Sequence, residues 1–381
     1  MNLAANVSSP DVAAKFRGIA ESFRHRTPRG AFAWDTWQAL SDAGLWRLPV
    51  PEKLGGTGGS WTQFVDAFEA IVATLRSVGF AMALANQATL IRALLAHGTP
   101  AQLDRHLPRL LTGAAGATAI SEKGTGTEVR ALETRLTREG NGYRLDGHKY
   151  NISHAPDAQL VLVVAAYTSE DKPATALVLL DPTRDGVSRT VPQETFGVAD
   201  LPIGDITLAN VSIGEHDLLG EPAAGLRLLM DIASMNRALF GLLCADVVRP
   251  FLTDALEYVG SRATLGATLD KHQHVQRRLV EIEIGMQRTR WMALAALEQL
   301  LSHHPAALAN CSIAKLGGAR DLAQAALHLL AIHGSDGYRR GALATFVADA
   351  LAMGSAGGTE EMHSRNIFSQ MQRAAHTAGV R

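Results

Sequence analysis

A surplus of charge of either sign is the first thing this 381-residue sequence lacks: 36 lysines and arginines face 37 aspartates and glutamates, a formal net charge of −1. That balance gives no electrostatic ground for nucleic acid or an anionic membrane as the main partner. Cysteine is scarce. Cys244 and Cys311 both sit in apolar helical patterns, "GLLCADVV" and "ALANCSIAKL", where a thiol serves as a small buried hydrophobe in a reducing compartment. No window approaches the roughly 18 uninterrupted apolar residues of a membrane span. The opening "MNLAANVSSPDVAAKFRG" lacks the basic stretch and apolar run of a secretory signal, so a soluble, cytoplasmic protein is expected. Walker-type phosphate loops, Cys/His metal spacings and Gly-x-Ser-x-Gly elbows are missing too. His272 and His274 stand two apart and do not share a helix face, which argues against a metal site there. Internal repeats and low-complexity tracts are likewise missing. With 47% hydrophobic and 19% charged residues, the composition is that of a globular chain long enough for two or three domains.

What is there divides into three stretches. Residues 1–113 show helical spacing, as in "WTQFVDAFEAIVATL" and "ATLIRALLAHG", interrupted by the loop "PEKLGGTGGS". Residues 114–220 switch to short strand-type runs. "YRLDGHKYNIS" alternates around an Asp-Gly turn; "AQLVLVVAAY", "ATALVLLD" and "GDITLANVSI" follow. Residues 221–381 return to longer helical segments, among them "GLRLLMDIASMNRALFGLLCADVVRPFL", "VQRRLVEIEIGMQRTRWMALAALEQL" and "RDLAQAALHLLAIHG". Arg320 and Asp321, adjacent in one of these, read as a solvated charge pair. A strand block between two helical blocks predicts an α+β fold and argues against a doubly wound parallel sheet, in which strands and helices alternate.

Two segments invite chemistry. In "AISEKGTGTEVRAL", Gly124 and Gly126 alternate with Thr125 and Thr127, offering backbone N–H groups and hydroxyls to a phosphate or the polar edge of a flavin. In "SAGGTEEMHS", small residues run directly into Glu360 and Glu361. Either a helix ends at Gly354 to Gly358, as glycine favours, or the glycines make room for a bulky group.

Taken in order, these segments resemble the acyl-CoA dehydrogenase family of flavoproteins over nearly the whole chain. "PEKLGGTGGSW" is similar to the family's N-terminal loop, "AISEKGTGTEVRAL" to its flavin-binding segment, and "GYRLDGHKYNISHAPDAQLVLVVA" to the strand pair that follows. "LANVSIGEHDLLG" resembles the end of the β-domain. "MNRALFGLLCADV" resembles the first long C-terminal helix, and "SRATLGATLDKHQHVQRRLVEIEIGMQRTR" the second. "IHGSDGY" is similar to the adenine-side loop and "GGTEEMHSRNI" to the closing active-site motif. The resemblance implies an N-terminal helical domain, a central antiparallel β-domain and a C-terminal four-helix bundle, assembled as a homotetramer or homodimer with one FAD per subunit.

Carried over by position, the resemblance implies that Ile120 and Ser121 meet the flavin's pyrimidine end, largely through backbone groups. Gly126 and Thr127 lie at its pyrophosphate or ribityl region, and Ile152 and Ser153 against the ring. Arg262 and Gln273 reach the pyrophosphate and adenosine of a neighbouring subunit's FAD, and Gly334 lies under that adenosine. Thr359 and Glu361 close over the cofactor. Arg237 matches an arginine that holds the site together, on the substrate side with Gly357.

The departures are as informative. The family's usual proton-abstracting glutamate falls on Gly357 and its minority alternative on Asn236, and neither accepts a proton. Lys123 replaces a proline, Glu128 an aspartate, Asn151 a tryptophan, Leu265 a phenylalanine of the second C-terminal helix, and Ala331 a glutamine. Glu360, Glu361, Asp231 and Glu122 are the substitute bases on offer. The resemblance then implies an FAD-dependent oxidoreductase acting on an acyl thioester of coenzyme A or an acyl carrier protein, with an electron-transfer partner. Two alternatives stand beside it. A flavin-dependent monooxygenase on the same fold needs no such carboxylate and suits a roomier pocket at Gly357 and Asn151. A degenerate, non-catalytic homologue would keep the scaffold alone.

Overall fold

The computed structural model describes residues 9–23, 30–58, 60–125, 128–169 and 172–377. Helices α1 (Pro10–Phe23), α2 (Trp34–Asp42), α3 (Trp61–Leu75), α4 (Val78–His97) and α5 (Pro100–Leu111) come first. Local chemistry sets their ends. The Ser77 hydroxyl accepts the Phe80 N–H at 2.9 Å to cap α4. Thr99 and Gln102 form a reciprocal capping box on α5, with Pro100 in its first turn, where no N–H is needed.

Seven strands follow: β1 (Gly116–Ala119), β2 (Arg135–Glu139), β3 (Gly142–Ser153), β4 (Leu160–Ser169), β5 (Lys172–Leu180), β6 (Val187–Arg189) and β7 (Ile203–Ile213). Their order is β1-β4-β2-β3-β7-β6, with β5 on β4. The sheet is mixed. β1 and β2 run parallel to β4, through Gly116↔Leu160 and Arg135↔Ala166. The remaining pairings are antiparallel. Strand β4 is buried on both faces, which explains its unbroken apolar run. Val161, Val163 and Ala165 enter the core of the β region, while Leu160, Leu162 and Val164 join the larger helical core.

The C-terminal part holds α6 (Gly225–Asp246), α7 (Arg249–Ser261), the hairpin β8 (Ala263–Thr264)/β9 (Ala267–Thr268), α8 (Gln273–Leu301), α9 (Ala307–His333), α10 (Ala342–Ala352) and α11 (Glu360–Thr377). Helices α6, α8 and α9 pack on one another, and α7, α10 and α11 pack on α9. Two sequence expectations are corrected here. The segment read as one helix from Gly225 breaks at Val247–Val248, just ahead of Pro250, whose ring cannot continue a regular helix. "SRATLG", read as the start of the second long helix, forms the β8/β9 hairpin instead. Its tip residues Leu265 and Gly266 have φ of 51° and 81°, the left-handed pair that a tight hairpin turn demands.

Arg320 and Asp321 do not form a solvated pair either. Arg320 reaches Glu360 at the start of α11. Asp321 accepts from Arg288 and, at 2.8 Å, from Thr289 of α8, so the two charges tie α9 to different neighbours. Val78–His97 and Pro222–Ser261 are long and apolar enough to cross a bilayer, yet 89% and 78% of their windows are buried within the fold, as core helices would be.

Helices α6 and α8 come close to α9 at Gly318. A Cβ there would lie 3.0 Å from Thr289 Cγ2 and 3.2 Å from Cys244 Cβ, whereas one on the adjacent Gly317 would meet nothing within 4 Å. Gly318→Val is therefore expected to destabilise the protein by about 1–3 kcal/mol through overpacking. Gly317→Ala is expected to stabilise it by about 0.5–1 kcal/mol through helix propensity. Denaturant titration of the two variants would test the opposite signs.

Candidate active-site cleft

A cleft of about 1630 Å³ lies between the β region and the C-terminal helices. One wall is the segment after β1, Ile120 to Lys123, together with the end of β3, Tyr150 to Ser153. The other is α6, through Met230, Ala233, Asn236, Arg237 and Phe240, with the 355–358 turn and α11 beyond it. Asn86 of α4 and residues 195–198 complete it. Ligand pockets usually hold about 300–1,000 Å³, so this one has room for two ligands side by side.

The β-side wall is built on a buried ion pair. Lys149, 0% exposed, donates to Glu122 Oε1 at 2.7 Å and to the Ile120 carbonyl at 3.0 Å. Glu122, 3% exposed, also accepts the backbone N–H groups of Glu133 (2.6 Å) and Thr134 (3.0 Å). The Tyr150 N–H donates to the Ser121 carbonyl at 2.9 Å, locking the two segments together. The carbonyls of Ile120 and Ser121 are thus engaged by β3, and what they offer a ligand is N–H and side chain. Burial lowers the Lys149 ammonium to about 8, against the opposing pull of Glu122. A break in register between Lys149 and Ile152 places Asn151 at φ 55°, a left-handed position that asparagine tolerates and tryptophan resists. Lys149 is a site residue that the sequence reading passed over. The signal was its phase, since Tyr143, Leu145 and Lys149 share the inward face of β3.

Removing one partner of this pair is expected to be severe. Lys149→Met strands a buried carboxylate and should cost about 3–5 kcal/mol, whereas the double replacement Glu122→Gln with Lys149→Met should recover much of that loss. Equilibrium unfolding of the single and double variants measures the difference.

Three of the four candidate bases are engaged by cations, and the fourth, Glu361, is exposed. Glu122 is held as described. Asp231 takes a bidentate contact from Arg92 (2.8 and 3.0 Å) and one from His97 (2.9 Å), and stays ionised far below the usual carboxylate range despite partial burial. Glu360 pairs with Arg320 at the surface, and Glu361 is exposed in the first turn of α11. Thr359 accepts the Met362 N–H at 3.4 Å, as an N-cap would. Neither Thr359 nor Glu361 lines the cleft; Gly358 and Met362 do.

Gly357 and Asn236, the two positions where the resemblance placed a base, are neighbours. Gly357 has φ 67°, and a Cβ there would stand 3.0 Å from the Phe240 ring and 3.3 Å from Asn236 Oδ1. Phe240 and Asn236 thus flank Gly357 on the side where a side chain would point, while its backbone lines the cleft. Asn236 in turn donates to Asn86 Oδ1 at 2.7 Å. Arg237 lines the cleft at 6% exposure. Lys315, fully buried behind it, donates to the Gly358 carbonyl at 2.7 Å and holds the turn.

Of the other residues singled out from sequence, Ile120, Ser121, Ile152 and Ser153 line the cleft together, whereas Gly126 and Thr127 lie outside the described residues. Arg262, Gln273 and Gly334 are exposed and line no part of the cleft; Arg262 Nη1 lies 3.6 Å from Asp336 in the turn Gly334–Tyr338. Cys244 and Cys311 are buried thiols pushed up to about 12 by desolvation, in keeping with the packing role read for them.

The 195–201 segment is fastened by carboxylates. Asp349 of α10 accepts the Val198 N–H at 2.6 Å, and Asp200 accepts from the Ser77 hydroxyl. Burial, with the nearby Asp200 charge, raises Asp349 to about 7. A carboxyl raised on folding stabilises most below its unfolded value, and that contribution is lost as pH rises through about 7. Asp349→Asn keeps an oxygen for Val198. The variant should match the wild type near about pH 4 and melt higher by about pH 8, as a pH series of thermal melts would show.

With this geometry in view, the family is defined domain by domain. Residues 14–114 match the acyl-CoA dehydrogenase N-terminal domain, 117–211 its middle domain and 223–372 its C-terminal domain. The chain belongs to the acyl-CoA dehydrogenase family. It is 26% identical over 358 residues to a probable acyl-CoA dehydrogenase, YngJ, of Bacillus subtilis, covering 93% of each chain. It is also 26% identical over 342 residues to the mitochondrial isovaleryl-CoA dehydrogenase of Solanum tuberosum, covering 88% of this chain and 82% of that one. In fold it is similar to butyryl-CoA dehydrogenase from Megasphaera elsdenii, with a TM-score of 0.88 at 21% identity over 96% of this chain and all of the other. It is likewise similar to the prolyl acyl carrier protein oxidase AnaB, with a TM-score of 0.86 at 22% identity over 94% and 98%.

Proposed function

We propose that this protein is an FAD-dependent oxidoreductase acting on an acyl thioester, carried by coenzyme A or by an acyl carrier protein, in a soluble cytoplasmic homotetramer or homodimer. The observation that carries the reading is the cleft itself, large enough for two ligands and walled by the two family segments on one side and α6 on the other. FAD fits the residues present. Thr195 Oγ1, in the cleft wall, is buried without a protein partner. Lys123, Arg130, Arg227 and Arg365 line the cleft, while of its two carboxylates Glu122 is taken by Lys149, leaving Glu128. That local excess of positive charge suits the phosphates of a dinucleotide and of a pantetheine carrier.

Bound FAD would supply a hydride acceptor. Ile120, Ser121, Ile152 and Ser153 would orient its ring, and Gly126 and Thr127 would hold its pyrophosphate or ribityl region. Thr359, just ahead of α11, and Glu361, in its first turn, lie outside the cleft lining and would close over the cofactor from that side. Arg262, Gln273 and Gly334 lie away from this chain's own cleft and would serve the adenosine end of a second subunit's FAD. Exposed Leu265, Leu327, Trp291, Phe368 and Met371 support such an assembly. α6 and the 355–358 turn would line the acyl group and exclude water from it. The chain offers no carboxylate at Gly357 or Asn236, so the step that a base usually speeds by about 10²–10⁴-fold has no protein carboxylate assigned to it. That same lack favours one other reading, a flavin monooxygenase, whose chemistry needs none.

The test is an absorbance spectrum of the purified protein, before and after anaerobic addition of a panel of acyl-CoA thioesters. Flavin bands that bleach with a thioester are the expected result. Bands that ignore every thioester but respond to reductant and then dioxygen would favour the monooxygenase, and a colourless protein that refuses added FAD would leave only a scaffold.

A further inference from the structure

At the inner end of the cleft, among the described residues, no carboxylate pairs with Arg237. Arg237 has five N–H donors. Among the described residues they meet only the Ser312 hydroxyl at 3.5 Å and the Met362 sulfur at 3.7 Å, and Nε meets none. The fold treats its other half-buried arginines differently: Arg92 holds Asp231, Arg184 holds Asp217 and Arg290 holds Glu69, each through two hydrogen bonds. Directly behind, the buried Lys315 spends its ammonium on backbone carbonyls, so it adds a second cation without adding a counter-charge. An unpaired buried guanidinium is costly, and a wall that holds one lacks an acceptor.

The protein does not provide that acceptor from the adjoining turn. Gly357 combines a left-handed φ of 67° with a Phe240 ring 3.0 Å from where its Cβ would stand, so an acidic side chain has no unstrained place there. Asn236 offers only a neutral amide, whose N–H is already given to Asn86 Oδ1. The missing counter-charge must arrive with the ligand.

Resting on the thioester reading above, we propose that the inner end of the cleft is an anion subsite built on Arg237, and that the acyl group of the substrate carries a carboxylate that docks there. A planar carboxylate matches the guanidinium fork, whereas the phosphates of a carrier would lie among Lys123, Arg130, Arg227 and Arg365. The subsite then favours half-thioesters of dicarboxylic acids over simple fatty acyl groups of the same length.

The experiment is isothermal titration of the full-length protein with succinyl-CoA and butyryl-CoA, which share a four-carbon acyl chain and differ in carboxylate against methyl. The wild type should bind succinyl-CoA at least about tenfold more tightly, the weight of one charge-assisted hydrogen bond. Arg237→Met should reduce the preference to about twofold or less, and Arg237→Lys, which keeps the charge but loses the fork, should fall between. Should the methionine variant fail to fold, the lysine variant carries the comparison and is expected to show a weakened preference. Equal binding of the two thioesters by the wild type, or a preference undiminished in the variants, overturns the proposal. If neither thioester binds, the thioester reading fails, and free succinate decides the subsite on its own. A wild-type melting temperature raised by succinate and insensitive to it in the Arg237 variants supports the subsite; no rise in the wild type overturns it.

Discussion

Everything on the β side of the cleft depends on one buried ion pair, Lys149 with Glu122. Two charges taken out of water are expensive, and they persist inside a protein only when geometry and further hydrogen bonds compensate. Here the carboxylate takes one ammonium and two backbone N–H groups, and the ammonium takes one carbonyl besides. Three chain segments that would otherwise be independent, residues 120–122, 133–134 and β3, are thereby held in one arrangement. The left-handed Asn151 and the inward Ile152 follow from that arrangement, because the register shift begins where Lys149 is pinned.

The order of helical, strand-rich and helical regions was legible because each region keeps its own period. β4 shows why the strand block stood out: an unbroken apolar run is what a strand buried on two faces requires. What escaped the sequence depended on partners far along the chain. Glu122 and Asp231 look like free carboxylates until Lys149 and Arg92 arrive from 27 and 139 positions away. The neighbours Arg320 and Asp321 likewise point to different helices. Periodicity could not see the break before Pro250, which falls inside a segment whose spacing reads as helical, and it was the resemblance, not the spacing, that put the hairpin at Leu265 in a helix.

Of the candidate site, the residues that share a strand or a turn were easiest to place. Ile120, Ser121, Ile152 and Ser153 meet because short stretches of chain carry them and the buried pair joins those stretches. Arg262, Gln273 and Gly334 do not line this cleft; Arg262 turns instead to Asp336, two residues past Gly334. Gly357 shows a further limit of reading from sequence. The small residue was visible, but the space beside it was not, because Phe240 and Asn236 reach it from α6, more than a hundred positions earlier.

Net charge conceals the last feature. A chain balanced to −1 overall exerts little long-range field, and its composition suggests no anionic ligand. The balance is nonetheless spatially uneven. Acids are spent pairing arginines within the fold, at Asp217, Asp231 and Glu69, while the cleft retains Lys123 and several arginines along its wall, Arg237 among them. A guanidinium kept buried without a carboxylate is a choice the fold did not make elsewhere among these pairs. Where the protein withholds a carboxylate on both adjoining positions, Gly357 and Asn236, the chemistry of the ligand is constrained from the protein side: it must bring a negative charge to Arg237 or leave that charge uncompensated in a desolvated wall.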